Sequence, residues 1–318
     1  MRARITVSAL LGLLALGYLV THLVFFVQLF FDHSGVAITQ DEIASAHTAT
    51  DARPQLIPKI IHQVYHDWNA EQNGGNETMP TDWDEVRHTC IDKNEDWTYM
   101  LWTASTSREF IQRYYPWFLS TYDNYKLPIQ RVDSVRYFLM LHYGGIYIDL
   151  DNGCLENLTP LLYYPTWTTD GGRGALSNNI LASVPNHPFW KLLTDSLIPY
   201  NYNYFFPYVT ISYASGQWFE TAIWQKYHSQ HPEERLHRIM MDDRPGTQPW
   251  IYFTQERGGT WKNWDNAFFL WIGDHLALLA LVVVSGLALL WWSVRRCLSV
   301  HKKYSEISTG KIDIEHGE

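Results

Sequence analysis

Tyr143-Gly144-Gly145-Ile146-Tyr147-Ile148-Asp149-Leu150-Asp151 is the stretch from which both the fold and the chemistry are read. The paired glycines stop a helix and lead into β-branched and aromatic residues suited to a strand over Ile146 to Leu150. Side chains two apart on a strand share a face, so Asp149 and Asp151 are expected to project together while Leu150 points away. Two clustered carboxylates repel unless positive charge lies between them. A divalent cation supplies that charge, and oxygen ligands suit Mg²⁺ or Mn²⁺; Mg²⁺ commonly takes one or two carboxylates plus substrate phosphates. A lone Asp-x-Asp is nearly worthless as a signal, because loops are rich in aspartate. The Gly-Gly and the aromatic strand ahead of it give this one its value.

Upstream, Pro128 opens a helix expected to run to about His142, with Val132, Val135, Phe138 and Leu139 on its core face. Asp133 and Arg136 are three apart and share a helical face, with Arg131 nearby. The ordinary reading is a surface ion pair worth under about 1 kcal/mol. The functional reading has Asp133 accepting from sugar or ribose hydroxyls while Arg136 holds donor hydroxyls or phosphate. Further upstream, Ile57 to Tyr65 reads as a buried strand, Asp82 to Ile91 as a helix, and Trp97 to Trp102 as a second strand. Ser107 to Leu119 reads as a helix broken at Pro116. Strands alternating with helices predict an α/β fold with a mostly parallel sheet, which binds ligands at the carboxyl ends of its strands. The packed-histidine reading suits His62 better than a catalytic one. Asn178 and Asn179 are candidates to reach a donor sugar, a turn role being the alternative.

The flanks set the expected topology. Residues 5–31 are almost entirely apolar and follow Arg2 and Arg4; a span needs about 20 residues, whereas the apolar region of a signal peptide is about 7–15. An uncleaved anchor is therefore expected. A second span is read within 267–293, followed by Arg295, Arg296, Lys302 and Lys303. Basic residues stay cytosolic, so residues 1–4 and the tail 294–318 face the cytosol and the rest is lumenal. Polar residues 32–55 are read as a stem and 56–266 as the catalytic domain. The sequons at Asn76 and Asn157 agree with that side. Cys90 and Cys154 form a disulfide or remain buried thiols; spacing leaves both open. With 46% hydrophobic and 18% charged residues the chain is no candidate for disorder. Its net charge of -9, without a long basic run, speaks against nucleic acid as a partner.

Ile57-Pro58-Lys59-Ile60-Ile61-His62-Gln63, Arg131-Val132-Asp133-Ser134-Val135-Arg136-Tyr137 and Tyr143 to Asp151, in that order, resemble glycosyltransferase family 32, the DXD-motif sugar transferases. Asn178-Asn179-Ile180, His187-Pro188 and Gly258-Gly259-Thr260-Trp261 extend the likeness over roughly residues 56 to 266. The two flanking spans and the form Ile-Asp-Leu-Asp-x-Gly-Cys resemble the subgroup containing the catalytic subunits of fungal mannosyl phosphorylinositol ceramide synthases. The resemblance implies a GT-A-like fold with a Rossmann-like mixed sheet, Mn²⁺ (or Mg²⁺), GDP-mannose as donor and an inositol phosphoceramide acceptor. It further implies retention at the anomeric carbon, a Golgi membrane location and a small regulatory membrane subunit. Asp149 and Asp151 are then catalytic and metal-binding, and Asp133, Arg136, Arg131, Asn178 and Trp261 donor-binding. Relatives often carry a His before a closing Gly-Ser-Trp, where this chain reads Gln255-Glu256-Arg257-Gly258-Gly259-Thr260-Trp261. Glu256 and Thr260 are the oxygen ligands expected in its place. Other functions compete. Transfer to N-glycan or protein acceptors uses the same residues. Hydrolysis by paired acids asks for carboxylates on separate strands. A non-catalytic membrane subunit fits the missing His and is opposed by the intact aspartates.

Overall fold

The computed structural model describes residues 2–31, 33–47, 53–67, 78–172, 174–242, 246, 250–254 and 263–308. Along the chain the elements are α1 (Arg2–Gln28), β1 (Val36–Thr39), α2 (Gln40–Ala46), β2 (Ile60–Val64), α3 (Thr81–Lys93), β3 (Thr98–Trp102), α4 (Ala104–Tyr114), α5 (Pro116–Asp123) and α6 (Ile129–His142). They continue with β4 (Gly145–Ile148), a 3-10 turn (Thr159–Tyr163), β5 (Thr166–Asp170), β6 (Ser177–Ser183), α7 (Pro188–Tyr200), α8 (Pro207–Ala214), α9 (Gln217–Gln230) and β7 (His237–Met240). α10 (Asn266–Asp274) and α11 (Leu276–Ser308) follow.

The strands form one sheet in the order β1-β7-β5-β6-β4-β2-β3. β6 runs antiparallel to β4 and β5, and the other pairings are parallel. The expected α/β architecture with a mostly parallel sheet is therefore present. Alternation along the strands sends side chains into two buried layers. Tyr147, Leu181 and Val64 pack with Phe138, Leu193 and Phe219 on one face. Ile146, Ile148, Trp167 and Ile180 pack with Cys90, Leu161 and Leu162 on the other.

The segment expected to be a stem is partly inside this architecture. Val36-Ala37-Ile38-Thr39 pairs with β7 as an edge strand, and Thr39 caps α2 with Glu42 in a reciprocal box. The β-branched run and the Thr-x-x-Glu spacing carry that signal, masked by the small polar residues around them. Pro116, at the first turn of α5, separates it from α4, as its missing N–H and fixed φ require.

The loop between α6 and β4 depends on both glycines. Gly144 and Gly145 have φ of +64° and +88°, and added Cβ atoms would stand 2.5 Å from the Ser183 carbonyl and 2.6 Å from the Ile60 carbonyl. Gly145→Ala combines a left-handed residue with a backbone clash and is expected to cost at least about 2 kcal/mol. Thermal unfolding of the detergent-solubilised protein should shift down by roughly 4–8 °C, and an unshifted midpoint would refute the assignment.

Past β4 the chain is tied down covalently. Cys90 of α3 and Cys154 form a disulfide, three residues beyond Asp151. Thr254 reinforces it: its N–H donates to the Gly153 carbonyl and its Oγ1 accepts from the Gly153 N–H.

Two helices are long and apolar enough to cross a bilayer, over Leu10–Gln28 and Leu276–Cys297. In the first compact unit, Met1–Trp261, the C-terminal end of α1 and the turn after it meet α9. Phe26 and Phe30 lie edge-on to Trp218 at 5.3 and 5.4 Å. The second unit, Lys262–Glu318, holds α10 and α11; Arg295 and Arg296 lie over Trp291 and Trp292 on α11.

Candidate active site

The site lies where β4 ends. Asp149 directly follows the strand, and its N–H donates to the Asn179 carbonyl of β6. The strand stops two residues earlier than expected. The Asn152 N–H returns to the Asp149 carbonyl, so Asp149 to Asn152 form a turn, and the strand alternation used to align the two aspartates ends before Asp151. The two carboxylates are nonetheless close enough to interact: burial and the charge of Asp149 push Asp151 up to about 6.

α6 supplies the positive charge. Arg136, 3% exposed, places Nη1 3.2 Å from Asp149 Oδ1 and Nη2 3.3 Å from Asp133 Oδ1. Nη1 also donates to the Asn178 carbonyl at 2.6 Å, and the guanidinium lies over the Tyr147 ring at 4.8 Å. Burial opposes the charge on Arg136, but Asp149, Tyr147 and Asp133 together raise its hold on the proton. Asp133 is itself buried; it accepts from Ser215 Oγ at 2.9 Å and Asn178 Nδ2 at 3.1 Å. Tyr147 Oη donates to Asp149 Oδ1 at 2.5 Å. Asp133, Arg136, Asn178 and Asp149 thus form one network.

Arg131 is not part of it. Its guanidinium donates to the carbonyls of Tyr122, Asp123 and Tyr125, at the carbonyl end of α5. Asn179 links its neighbours, donating to Asn152 Oδ1 and accepting from Thr169 and Ser177 hydroxyls. Glu256, Thr260 and Trp261 lie outside the described residues, as does Asn76. Asn157 is exposed, with its amide donating to the Lys93 carbonyl at 2.8 Å. His62 is buried as expected: it accepts from Trp102 Nε1 and donates to the Gly144 carbonyl, and burial pushes it down to about 4. Among the described residues no cluster of three or more His, Cys, Asp or Glu could hold a metal. The two acidic side chains are hard oxygen donors, and their mutual repulsion fits a divalent cation held jointly with substrate oxygens.

Ser215 and Glu220 belong to this region without a local signal in the sequence, and Tyr137 and Tyr147 join it from within the stretches quoted above. Glu220 of α9 is fully buried; Oε1 accepts from Thr168 Oγ1 at 2.7 Å and Oε2 has no partner among the described residues. Burial pushes its carboxyl up to about 7 from 4.5, with the Thr168 hydrogen bond pulling the other way. Between those values the folded chain keeps a proton that the unfolded chain releases, so this group's contribution to stability falls as pH rises. Glu220→Gln should therefore gain on the parent protein with pH, by up to about 3 kcal/mol above neutrality. Paired unfolding curves from pH 4.5 to 8 test this, since other titrating groups cancel in the difference; a constant offset would show that Glu220 is not buried as a neutral acid.

Comparison with known proteins adds to this geometry. Residues 80–168 match the family described as a glycosyltransferase sugar-binding region containing a DXD motif. Mannosyl phosphorylinositol ceramide synthase SUR1 of Saccharomyces cerevisiae is 39% identical over 70% of this chain and 56% of its own length. Inositol phosphoceramide mannosyltransferases 2 and 3 of Schizosaccharomyces pombe are 38% and 34% identical. They cover 74% and 79% of this chain, and 66% and 69% of their own lengths. The chain thus spans between about half and two thirds of the length of these relatives. Among solved structures, the PaToxG glycosyltransferase is 15% identical with a TM-score of 0.40, over 57% of this chain and 75% of that one.

Proposed function

The chain belongs to the inositol phosphoceramide mannosyltransferase family, and from that premise we propose that it transfers mannose from GDP-mannose to the headgroup of inositol phosphoceramide. The observation that carries the reading is the pair Asp149 and Asp151 at the carboxyl edge of the sheet, braced by Arg136 and Asp133. In this GT-A-like reading, Asp149 and Asp151 hold Mn²⁺ (or Mg²⁺), with Glu256 and Thr260 as further oxygen ligands. Bound there, the cation supplies charge stabilisation for the departing nucleotide diphosphate. Arg136 orients Asp149, holding the carboxylate in place before substrate arrives. Asp133, Asn178 and Trp261 contact the donor, Asp133 through sugar or ribose hydroxyls. Arg131 acts on that site indirectly, by fixing the loop after α5 that precedes α6. Transfer proceeds with retention, the acceptor hydroxyl attacking from the face the nucleotide leaves.

The two apolar helices anchor the domain at a Golgi membrane, with both termini cytosolic and the catalytic unit lumenal. The Cys90–Cys154 disulfide supports an oxidising compartment. Two anchors hold the site near the bilayer, turning part of the encounter with a lipid acceptor into a local search. Exposed Phe268 and Trp271 of α10 suit the interface next to the second span. A small regulatory membrane subunit completes the assembly.

The test is direct. Membranes carrying this chain, given labelled GDP-mannose, inositol phosphoceramide and Mn²⁺, should yield mannosylated lipid, and a C-terminal tag should be open to protease in sealed vesicles. Label entering protein glycans and no lipid would replace the acceptor. Protection of the tag would overturn the two-span topology.

A further inference from the structure

The polar edge of the sheet continues past the aspartates. In the order β4-β6-β5-β7, the parallel strands β4, β5 and β7 all end on the same side as Asp149. β5 ends in Asp170, and two strand spacings of about 4.8 Å place it roughly 10 Å along that edge from the end of β4. Thr168 and Asp170 share the face that carries Glu220 and α9, while Arg238 and Met240 stand opposite them on β7.

Here a cleft of about 330 Å³ opens, lined by His33, Asp170, Gly172, Arg238 and Met240, with Phe30 and Phe31 from the chain just past α1. Its size falls within the range of small-ligand sites. Asp170 is almost wholly buried and serves as a hub. Oδ2 pairs with Arg238 Nη1 and, at 2.9 Å, with His33 Nδ1, while Oδ1 accepts from the Gly172 N–H at 2.7 Å. The other ring nitrogen of His33 lies 3.0 Å from the Leu29 carbonyl. Both ring nitrogens are thus held by neighbouring oxygens, which fixes the ring at the cleft wall. Among the described residues the cleft sets the guanidinium of Arg238 and the ring of His33 around one carboxylate, Asp170. Arg238 donates Nε to the Ser34 carbonyl and Nη1 to Asp170, and among the described residues no hydrogen bond engages Nη2.

We propose that this cleft receives the phosphodiester of the lipid acceptor, which rests on the lipid-acceptor reading above. A guanidinium held in place by a buried carboxylate and a backbone carbonyl is preorganised to bind a phosphodiester oxygen. The cleft lies at the foot of α1, where the chain leaves its apolar stretch, and Phe31 at its rim is 73% exposed. A lipid in the adjacent leaflet can place its phosphate there and extend its ring along the edge toward Asp149. A nucleotide diphosphate bound at Asp149 and Asp151 has no need of it.

The experiment uses the full chain in phosphatidylcholine nanodiscs. Arg238→Gln, Met240→Trp, which fills the cleft and leaves its charges intact, and the charge-balanced pair Arg238→Gln/Asp170→Asn are compared with the parent. Each is expected to raise the acceptor KM tenfold or more, with the donor KM and the acceptor-free hydrolysis of GDP-mannose unchanged. An unchanged acceptor KM in Met240→Trp, or a parallel rise in the donor KM, overturns the proposal; the latter assigns the cleft to the nucleotide. Binding of dioctanoyl phosphatidylinositol without donor separates this from failure of the functional reading. The parent should bind it at least tenfold better than dioctanoyl phosphatidylcholine, and Met240→Trp should lose that preference, even if inositol phosphoceramide is not turned over. Equal binding of the two lipids by the parent, or equal competition by inorganic phosphate, overturns it.

Discussion

Asp149→Ala and Asp151→Ala are each expected to lower the proposed mannosyl transfer on the order of a thousandfold or more, with the protein still folded and membrane-inserted. The reason lies in where charge develops. In the proposed reaction a departing nucleotide diphosphate gains negative charge as its bond to the sugar breaks, and a cation held by these carboxylates would offset it. Asp149 also accepts from Tyr147 and Arg136, so its removal disturbs the network, whereas Asp151 stands in the turn beyond it. The two variants therefore separate loss of the carboxylate from loss of the network: Asp151→Ala should unfold like the parent. Transfer is measured in membranes at saturating Mn²⁺. Near-normal rates in either variant would remove that residue from the proposed metal site.

Arg136→Met should have the largest effect on stability. Arg136 is buried between Asp133 and Asp149 and donates to the Asn178 carbonyl. Deleting one member of a buried ionic network leaves the other charge uncompensated, at about 3–5 kcal/mol. Arg136→Lys is not a mild change, because one ammonium cannot reproduce the planar fork that reaches all three groups. In Arg136→Met/Asp133→Asn, neutralising the stranded carboxylate should restore much of the unfolding midpoint while transfer stays low. Full stability and full transfer in Arg136→Met would place the arginine outside both roles.

Residues near one another in the chain explain which parts of this site were readable. Asp133 and Arg136 sit one helical turn apart, so their shared face followed from spacing, and their network with Asp149 is present. The strand that leads into Asp149 announced itself through Gly144, Gly145 and the residues that follow. The extent of that strand did not. Periodicity has no term for the hydrogen bond from the Asn152 N–H to the Asp149 carbonyl, which turns the chain before Asp151. Arg131 resembled a donor ligand from its position beside Asp133, yet its guanidinium is taken up by three backbone carbonyls.

By itself, the sequence determined the α/β class, the two apolar helices, the acidic pair and the arginine beside it. Each rests on a pattern confined to a few turns of helix or one strand. Only the tertiary structure decided the rest. Ser215 reaches Asp133 across 82 residues, Arg238 reaches Asp170 across 68, and β1 pairs with β7 from the segment read as a stem. Cys90 and Cys154, left open by spacing, are joined across 64 residues because α3 lies beside the chain just past the turn from Asp149 to Asn152, where the Cys154 N–H donates to Thr89 Oγ1. Such contacts form because burial leaves polar groups in need of partners, and the sheet order, which no local pattern encodes, determines which partners are within reach.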